Sequence, residues 1–293
     1  MLVTATRFDA RALLWGSLGV LIFSVSLPAT RLAVVGGLDP VFIGSGRAVV
    51  AGLLAFGVLA WRGQLMPPRG SMPGLLIVSA GVVFGFPVLT TLALARVPAV
   101  HGSVLTGLLP AATAVMGVLR AGEQPRLAFW LAAGAGLLCV LAFAAAQGAG
   151  ELDVADLLLL VAVGLCGLGY AEGAVLSRTL GGIRVISLAL VISLPVTLPL
   201  TLWRASPAML EAATPSSWAG FAYVSLFSMY LGFFAWYRGL ALGGVARIGQ
   251  VQLAQPVLSL LWAVLLLGET VSTAAGVAAL AVVACVVMTQ RAR

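Results

Sequence analysis

Apolar residues in this chain come in long blocks separated by short polar joints. The blocks run at about 12–34, 41–61, 73–95, 97–119, 127–147, 156–178, 183–203, 217–237, 245–267 and 271–290. A helix needs ~20 residues to cross the hydrocarbon core of a bilayer, and most blocks reach that length. The runs lack the period-two alternation of a membrane barrel strand. Lipid also forces a backbone to satisfy its own hydrogen bonds, which favours helices. The pattern predicts an all-α integral membrane protein with ten transmembrane helices. Because the joints are short, successive helices run antiparallel and no soluble domain is inserted.

Composition supports that environment. Hydrophobic residues make up 61% of the chain and charged residues 9%, against roughly 45–50% and about 25% in soluble domains. The lipid bilayer is therefore the first expected partner. The opening "MLVTATRFDARALLWG" has the basic start of a secretory signal, but the apolar run after it continues to about Val34. That is longer than a cleaved core, so the first block is expected to stay as a helix. Cys139, Cys166 and Cys285 all lie inside blocks and read as small packing residues rather than a disulfide framework.

Charge orients the chain. With the N-terminus inside, the inner joints and ends collect Arg7, Arg11, Arg62, Arg69, Arg120, Arg126, Arg178, Arg184, Arg238, Arg247, Arg291 and Arg293. The outer joints hold only Arg31, Arg96 and Arg204, together with most of the acids. The positive-inside rule then places both termini in the cytoplasm. The net charge of +7 is spread one or two arginines per joint, without a basic stripe or interleaved aromatics, which argues against nucleic acid.

One stretch is written twice. "LPAATAVMGVLRAGE" at 109–123 and "QPVLSLLWAVLLLGE" at 255–269 align without a gap, pairing Pro110 with Pro256, Gly122 with Gly268 and Glu123 with Glu269. The offset of 146 is almost half of 293 residues, so ten spans divide into five and five. Five is odd, and the second copy must enter the membrane upside down. Two inverted five-helix repeats are expected, at 12–147 and 156–290, an architecture common among secondary transporters.

On these residues the chain resembles the drug/metabolite transporter superfamily, in its ten-helix EamA-type branch. The two "P…(L/A)GE" helices carry the likeness, with the pattern of Trp15, Gly16, Pro28, Arg31 and Arg47. The second repeat departs from the first in having no Arg equivalent to Arg47. The resemblance implies transport of a small metabolite or drug across a bacterial inner membrane, commonly export of amino acids or related compounds. It does not fix the substrate.

Polar residues inside the blocks are the candidates for a substrate pathway. Glu172 in "GLGYAEGAVLSR" is the only acid well inside a block. A carboxylate near mid-membrane is costly, so it must face the bundle interior or water. It suits proton coupling or recognition of a substrate amine; the alternative is a carboxylate reaching headgroups or pairing with Arg178. Arg47 cannot shed its charge in practice, and must bind an anion such as a substrate carboxylate or serve as a structural tie. The ninth block is rich in Gln, including Gln250 and Gln255, and the fourth contributes His101, a histidine without an evident acidic partner. Tyr223, Phe227 and Tyr230 fall at i, i+4 and i+7, one face of a regular helix. With Tyr170 they form either an apolar pocket wall or a lipid-facing surface.

Pro28, Pro110 and Pro256 each delete a backbone hydrogen bond and are expected to kink their helices, the last two at matching places. Glu123 and Glu269 read as acids opening the spans that follow them, favourable at the positive end of a helix dipole. No phosphate loop, HExxH or CxxC motif is present, so neither ATP drive, metal nor cofactor is expected, and the chain is not expected to be an enzyme. The expected activity is secondary-active export of a small amphipathic metabolite by alternating access, with protons as candidate coupling ion, by a monomer or homodimer. A membrane-embedded enzyme or a non-transporting receptor or scaffold subunit is the alternative.

Overall fold

Among the described residues of the computed structural model, eight helices are long and apolar enough to cross a membrane. The structure describes residues 10–123 and 154–274, with scattered positions within 126–139 and 276–285. The eight are α1 (Ala10–Val35), α2 (Pro40–Trp61), α3 (Met72–Leu94), α4 (Ala99–Ala121), α5 (Val154–Leu180), α6 (Gly182–Arg204), α7 (Pro215–Gly243) and α8 (Val245–Leu267). They correspond to the first four predicted spans and to the sixth through ninth. Most of the predicted span at 127–147 and half of that at 271–290 lie outside the described residues. No strand occurs among the described residues.

Several helices are interrupted where proline and local packing demand it. In α4 a 3-10 turn at Thr106–Leu108 precedes Pro110, and in α8 one at Gln250–Ala254 precedes Pro256. Proline cannot donate to the carbonyl four residues back, so the ladder tightens there and restarts. Pro28 follows a similar break, since α1 is two helical pieces, Ala10–Ser24 and Ser26–Val35. The three predicted bends therefore lie at or beside helix interruptions. Two π-helical stretches, Ser79–Gly85 in α3 and Val224–Leu231 in α7, have no proline inside them and were not legible in the residue pattern.

Packing is close because glycine lets backbones approach. α2 lies along α6, α1 along α7, and α5 against both α3 and α4. A Cβ at Gly239 of α7 would stand 2.7 Å from the backbone nitrogen of Gly16 in α1, and one at Gly81 of α3 would stand 2.4 Å from the Leu165 carbonyl oxygen. With no hydrophobic drive between helices in lipid, such small-residue contacts are what hold them together. Leu14, Leu54, Phe56, Leu76, Val161, Leu202 and Leu265 remain exposed on the outside of the bundle, a surface suited to hydrocarbon.

Candidate functional site

The bundle has two chemically different ends. One holds the start of α2, the end of α6 and the turns joining α1 to α2 and α6 to α7. There the Asp39 side chain accepts hydrogen bonds from the Val41 and Phe42 N–H groups, capping α2, at 2.9 and 3.0 Å. Arg204, the last residue of α6, donates from Nε to Asp39 Oδ1 at 3.1 Å and from a terminal nitrogen to Oδ2. Burial pushes the Asp39 carboxyl up, but Arg204 and the Phe42 and Val41 N–H groups outweigh that and hold it below the usual carboxylate range. Beneath this pair, Ala33, Leu38, Phe42, Ile43, Phe221 and Val224 form a separate apolar cluster. Thr214 N–H donates to the Gly36 carbonyl, and Ser217 donates to Ala33. Charge and apolar packing together tie α1, α2, α6 and α7 at this end.

Near the middle, Phe23, Ser26, Arg47, Pro87, Leu109, Tyr170, Ser228, Met229, Phe233 and Gln255 surround a narrow cavity, with Leu27, Val82 and Phe86 completing its wall. It has room for about one water molecule. Arg47, 4% exposed, donates from a terminal nitrogen to Ser228 Oγ at 2.7 Å, while its buried Nε has no partner. Ser26 donates to the same Ser228 oxygen at 2.7 Å. None of the residues lining this cavity is a carboxylate. Gln252 donates from Nε2 to the Gln255 amide oxygen at 3.2 Å and lies 3.5 Å from the Tyr170 hydroxyl. Tyr170 packs among Phe23, Phe233 and Trp236.

Of the residues singled out in the sequence, Arg47, Tyr170, Gln255 and the neighbourhoods of Pro28, Pro110 and Pro256 meet around this cavity. Gln250 is buried on α8 without lining it. The face expected for Tyr223, Phe227 and Tyr230 does not form as such. The π-helical stretch at Val224–Leu231 adds a residue per turn and rotates Tyr230 inward. Tyr230 bonds Ser187 at 2.9 Å in the interior, whereas Tyr223 and exposed Phe227 stack on each other outside the cavity. Ser228, Met229 and Phe233 of the same helix take the inner face instead.

Glu172 and His101 stand apart from the cavity. Arg120 at the end of α4 donates from Nε to Glu172 Oε2 at 2.8 Å, so the partner is Arg120 and not Arg178. Gly74 of α3 is bare where a Cβ would come 2.6 Å from Glu172 Oε1. His101 has an acidic partner after all: its Nε2 lies 2.7 Å from Asp156 Oδ1 at the start of α5. Arg178 lies 3.8 Å from Glu123.

The two repeated glutamates cap the starts of helices elsewhere in the bundle. Glu123 accepts hydrogen bonds from the Val245 and Ala246 N–H groups at the start of α8, at 2.7 and 2.6 Å. Glu269 accepts from Ala99 and Val100 at the start of α4, at 3.0 and 2.9 Å. Each glutamate follows a left-handed glycine, Gly122 or Gly268, which turns the chain out of its own helix.

Long apolar helices around an arginine-containing central cavity define a multi-pass membrane protein with the build of a transporter. The chain belongs to the EamA-like transporter family, whose pattern matches it twice, over residues 10–144 and 153–290. A Bacillus subtilis (strain 168) protein named "Uncharacterized transporter YdeK" is 50% identical over 284 residues, covering 94% of this chain and 96% of that one. A solved crystal structure of a protein 20% identical in sequence superposes with a TM-score of 0.72 over 96% of this chain and 99% of the other, which establishes a shared fold.

Proposed function

We propose that this protein is a secondary-active transporter of a bacterial inner membrane that exports a small amphipathic metabolite bearing a carboxylate, an amino acid or close relative. The observation that carries this reading is Arg47. A guanidinium at the centre of a bundle is expensive, and its one hydrogen-bonded partner is the neutral Ser228 hydroxyl. A substrate carboxylate would supply the missing anion and take a second bond at Nε. Phe23, Tyr170, Met229 and Phe233 would receive the apolar part of the same molecule.

Alternating access follows from two inverted five-helix repeats, 12–147 and 156–290. Residues 123 and 154 bear on this, because they lie at opposite ends of the bundle: Glu123 beside Val245, and α5 beginning beside His101. A chain of ten spans with an odd number in each half requires that. Twelve of the arginines outside the core fall in the inner joints and ends of the sequence, which the positive-inside rule assigns to the cytoplasm together with both termini. The Asp39–Arg204 end then faces outward and is shut, while the central cavity is closed around Arg47. The cavity is lined by helices of one chain, so a monomer is sufficient. Glu172 enters as a coupling group: a proton on it breaks the pair with Arg120 and frees α4 from α5.

The test is uptake of labelled amino acids into everted membrane vesicles, with and without a proton gradient. Gradient-driven uptake of one compound, lost in Glu172→Gln, supports the whole reading. Uptake indifferent to gradient and to Glu172 removes the coupling step alone. No uptake of any compound by correctly inserted protein contradicts export of amino acids.

A further inference from the structure

α2 and α6 are antiparallel neighbours, and at each of their two junctions an arginine stands at the end of one helix. At one junction α2 begins and α6 ends, and Asp39 fills the space between them, capping the first and pairing with Arg204 of the second. At the other, α6 begins and α2 ends. Arg62 follows the end of α2 as Arg204 closes α6, but the capping position of α6 is Gly181, which has no side chain to offer. Its φ of +80° is a conformation that L side chains rarely adopt, so the chain cannot readily supply an acid there.

A cavity of about 680 Å³, open on one side, occupies this second junction. Arg62, Arg178, Arg184 and Arg238 all line it, and none of its lining residues is a carboxylate. Arg178 has Glu123 at 3.8 Å, and Arg238 lies over the Trp15 ring at 5.0 Å. Two buried polar atoms on the wall, Ser177 Oγ and Arg184 Nε, make no hydrogen bond. Ser177 is 6% exposed. The first residues of α6, Gly182 to Arg184, also line the cavity and bring unsatisfied N–H groups and the positive end of a 23-residue helix.

We propose that this cavity binds a phosphate-bearing anion, which does between Arg62, Arg184 and the start of α6 what Asp39 does at the opposite junction. Several arginines and a helix N-terminus converging on one space suit a group with three or more acceptor oxygens better than a single carboxylate. The phosphate can come from a membrane lipid, since basic pockets at the cytoplasmic ends of helices recognise anionic headgroups, or from a soluble phosphate ester. The site is separate from the Arg47 cavity and does not depend on the transport reading.

The experiment follows thermal unfolding of the purified full-length protein in neutral detergent with added dioleoylphosphatidylglycerol, dioleoylphosphatidylcholine or inorganic phosphate. Phosphatidylglycerol or inorganic phosphate is expected to raise the unfolding temperature by roughly 2–4 °C or more, and zwitterionic phosphatidylcholine by less. Response to the lipid alone identifies a headgroup site, and response to both a site open to soluble phosphate. The shift should vanish in the Arg62→Gln/Arg184→Gln double variant and persist in Arg69→Gln, an exposed arginine outside the cavity. Ile183→Glu provides an independent check by placing a carboxylate in the first turn of α6. It should unfold at a higher temperature than wild type without ligand and respond weakly to either anion. No shift with either anion in wild type, or equal shifts in wild type, the double variant and Ile183→Glu, overturns the proposal.

Discussion

Glu123 holds the first two N–H groups of α8, and Glu269 holds the first two of α4. Each glutamate lies just beyond the end of the helix whose start the other one caps. The four capped residues obey the offset of the glutamates themselves, Ala99 pairing with Val245 and Val100 with Ala246 at 146 residues. α4 and α8 are therefore clasped at both ends by exchanged carboxylates. The echo in the sequence is accounted for by this exchange: glycine turns the chain out of one helix so that the next residue can reach the other.

Removing either carboxylate leaves two N–H donors at a helix start without their charged acceptor. Glu123→Ala and Glu269→Ala should each cost about 1–3 kcal/mol. The clasps sit at opposite ends of a 23-residue helix, about 35 Å apart, so the double variant should lose nearly the sum. Denaturation in detergent measures all three. Equal stability of wild type and Glu269→Ala would show that the cap contributes nothing.

The Gly16–Gly239 crossing tests how tightly α1 and α7 are set. Gly239→Ala puts a methyl group 2.7 Å from backbone that cannot yield without moving a helix, and should destabilise by about 1–3 kcal/mol. Gly57, in the interior of α2, has open space around it, and Gly57→Ala should be neutral or stabilising by up to about 1 kcal/mol. Thermal unfolding of the two variants side by side is the check.

Acid should loosen the Asp39–Arg204 junction. The folded-state pKa of Asp39 lies below its ordinary value, so the junction's contribution is fully present above the unfolded value of about 3.9 and is lost as pH falls through the folded one. The stability difference between wild type and Asp39→Asn should be constant above about pH 5 and shrink progressively below pH 4. A difference that grew on acidification would reverse the assigned sign. Following unfolding of both proteins from pH 7 to pH 3 measures it.

Much of the helix content was legible because hydrophobic blocks of membrane length have one solution in lipid. The predicted edges of α2, α3 and α8 differ from the observed ones by at most one residue. Local chemistry also announced the prolines beside the breaks in α4 and α8. What the chain could not reveal by itself were partnerships across the bundle. His101 finds Asp156 and Glu172 finds Arg120 more than fifty residues away, and no local pattern encodes such distances. The aromatic face failed for a different reason: periodicity assumes 3.6 residues per turn, and the π-helical stretch in α7 departs from it. The short helix Pro207–Ala212 has a local signal, since Ser206 followed by proline marks a helix start, but it is too short to show in a pattern of membrane-length blocks. Arg62, Arg184 and Arg238 lie in or beside three joints far apart in sequence, so the residue pattern suggests a common side for them but does not reveal the cavity they share.

Whether Arg47 receives a substrate carboxylate is decided by one comparison. Flux of an amino acid the protein carries should be measured beside flux of the amine that its decarboxylation leaves, in vesicles containing wild type, Arg47→Lys or Arg47→Gln. Wild type should prefer the amino acid by tenfold or more, in line with about 1.5–3 kcal/mol for a charged hydrogen bond. Arg47→Gln should lose that preference while remaining folded and inserted, and Arg47→Lys should recover it only in part, lacking the planar fork. Equal discrimination by wild type and Arg47→Gln would contradict the account and leave Arg47 a tie to Ser228 alone.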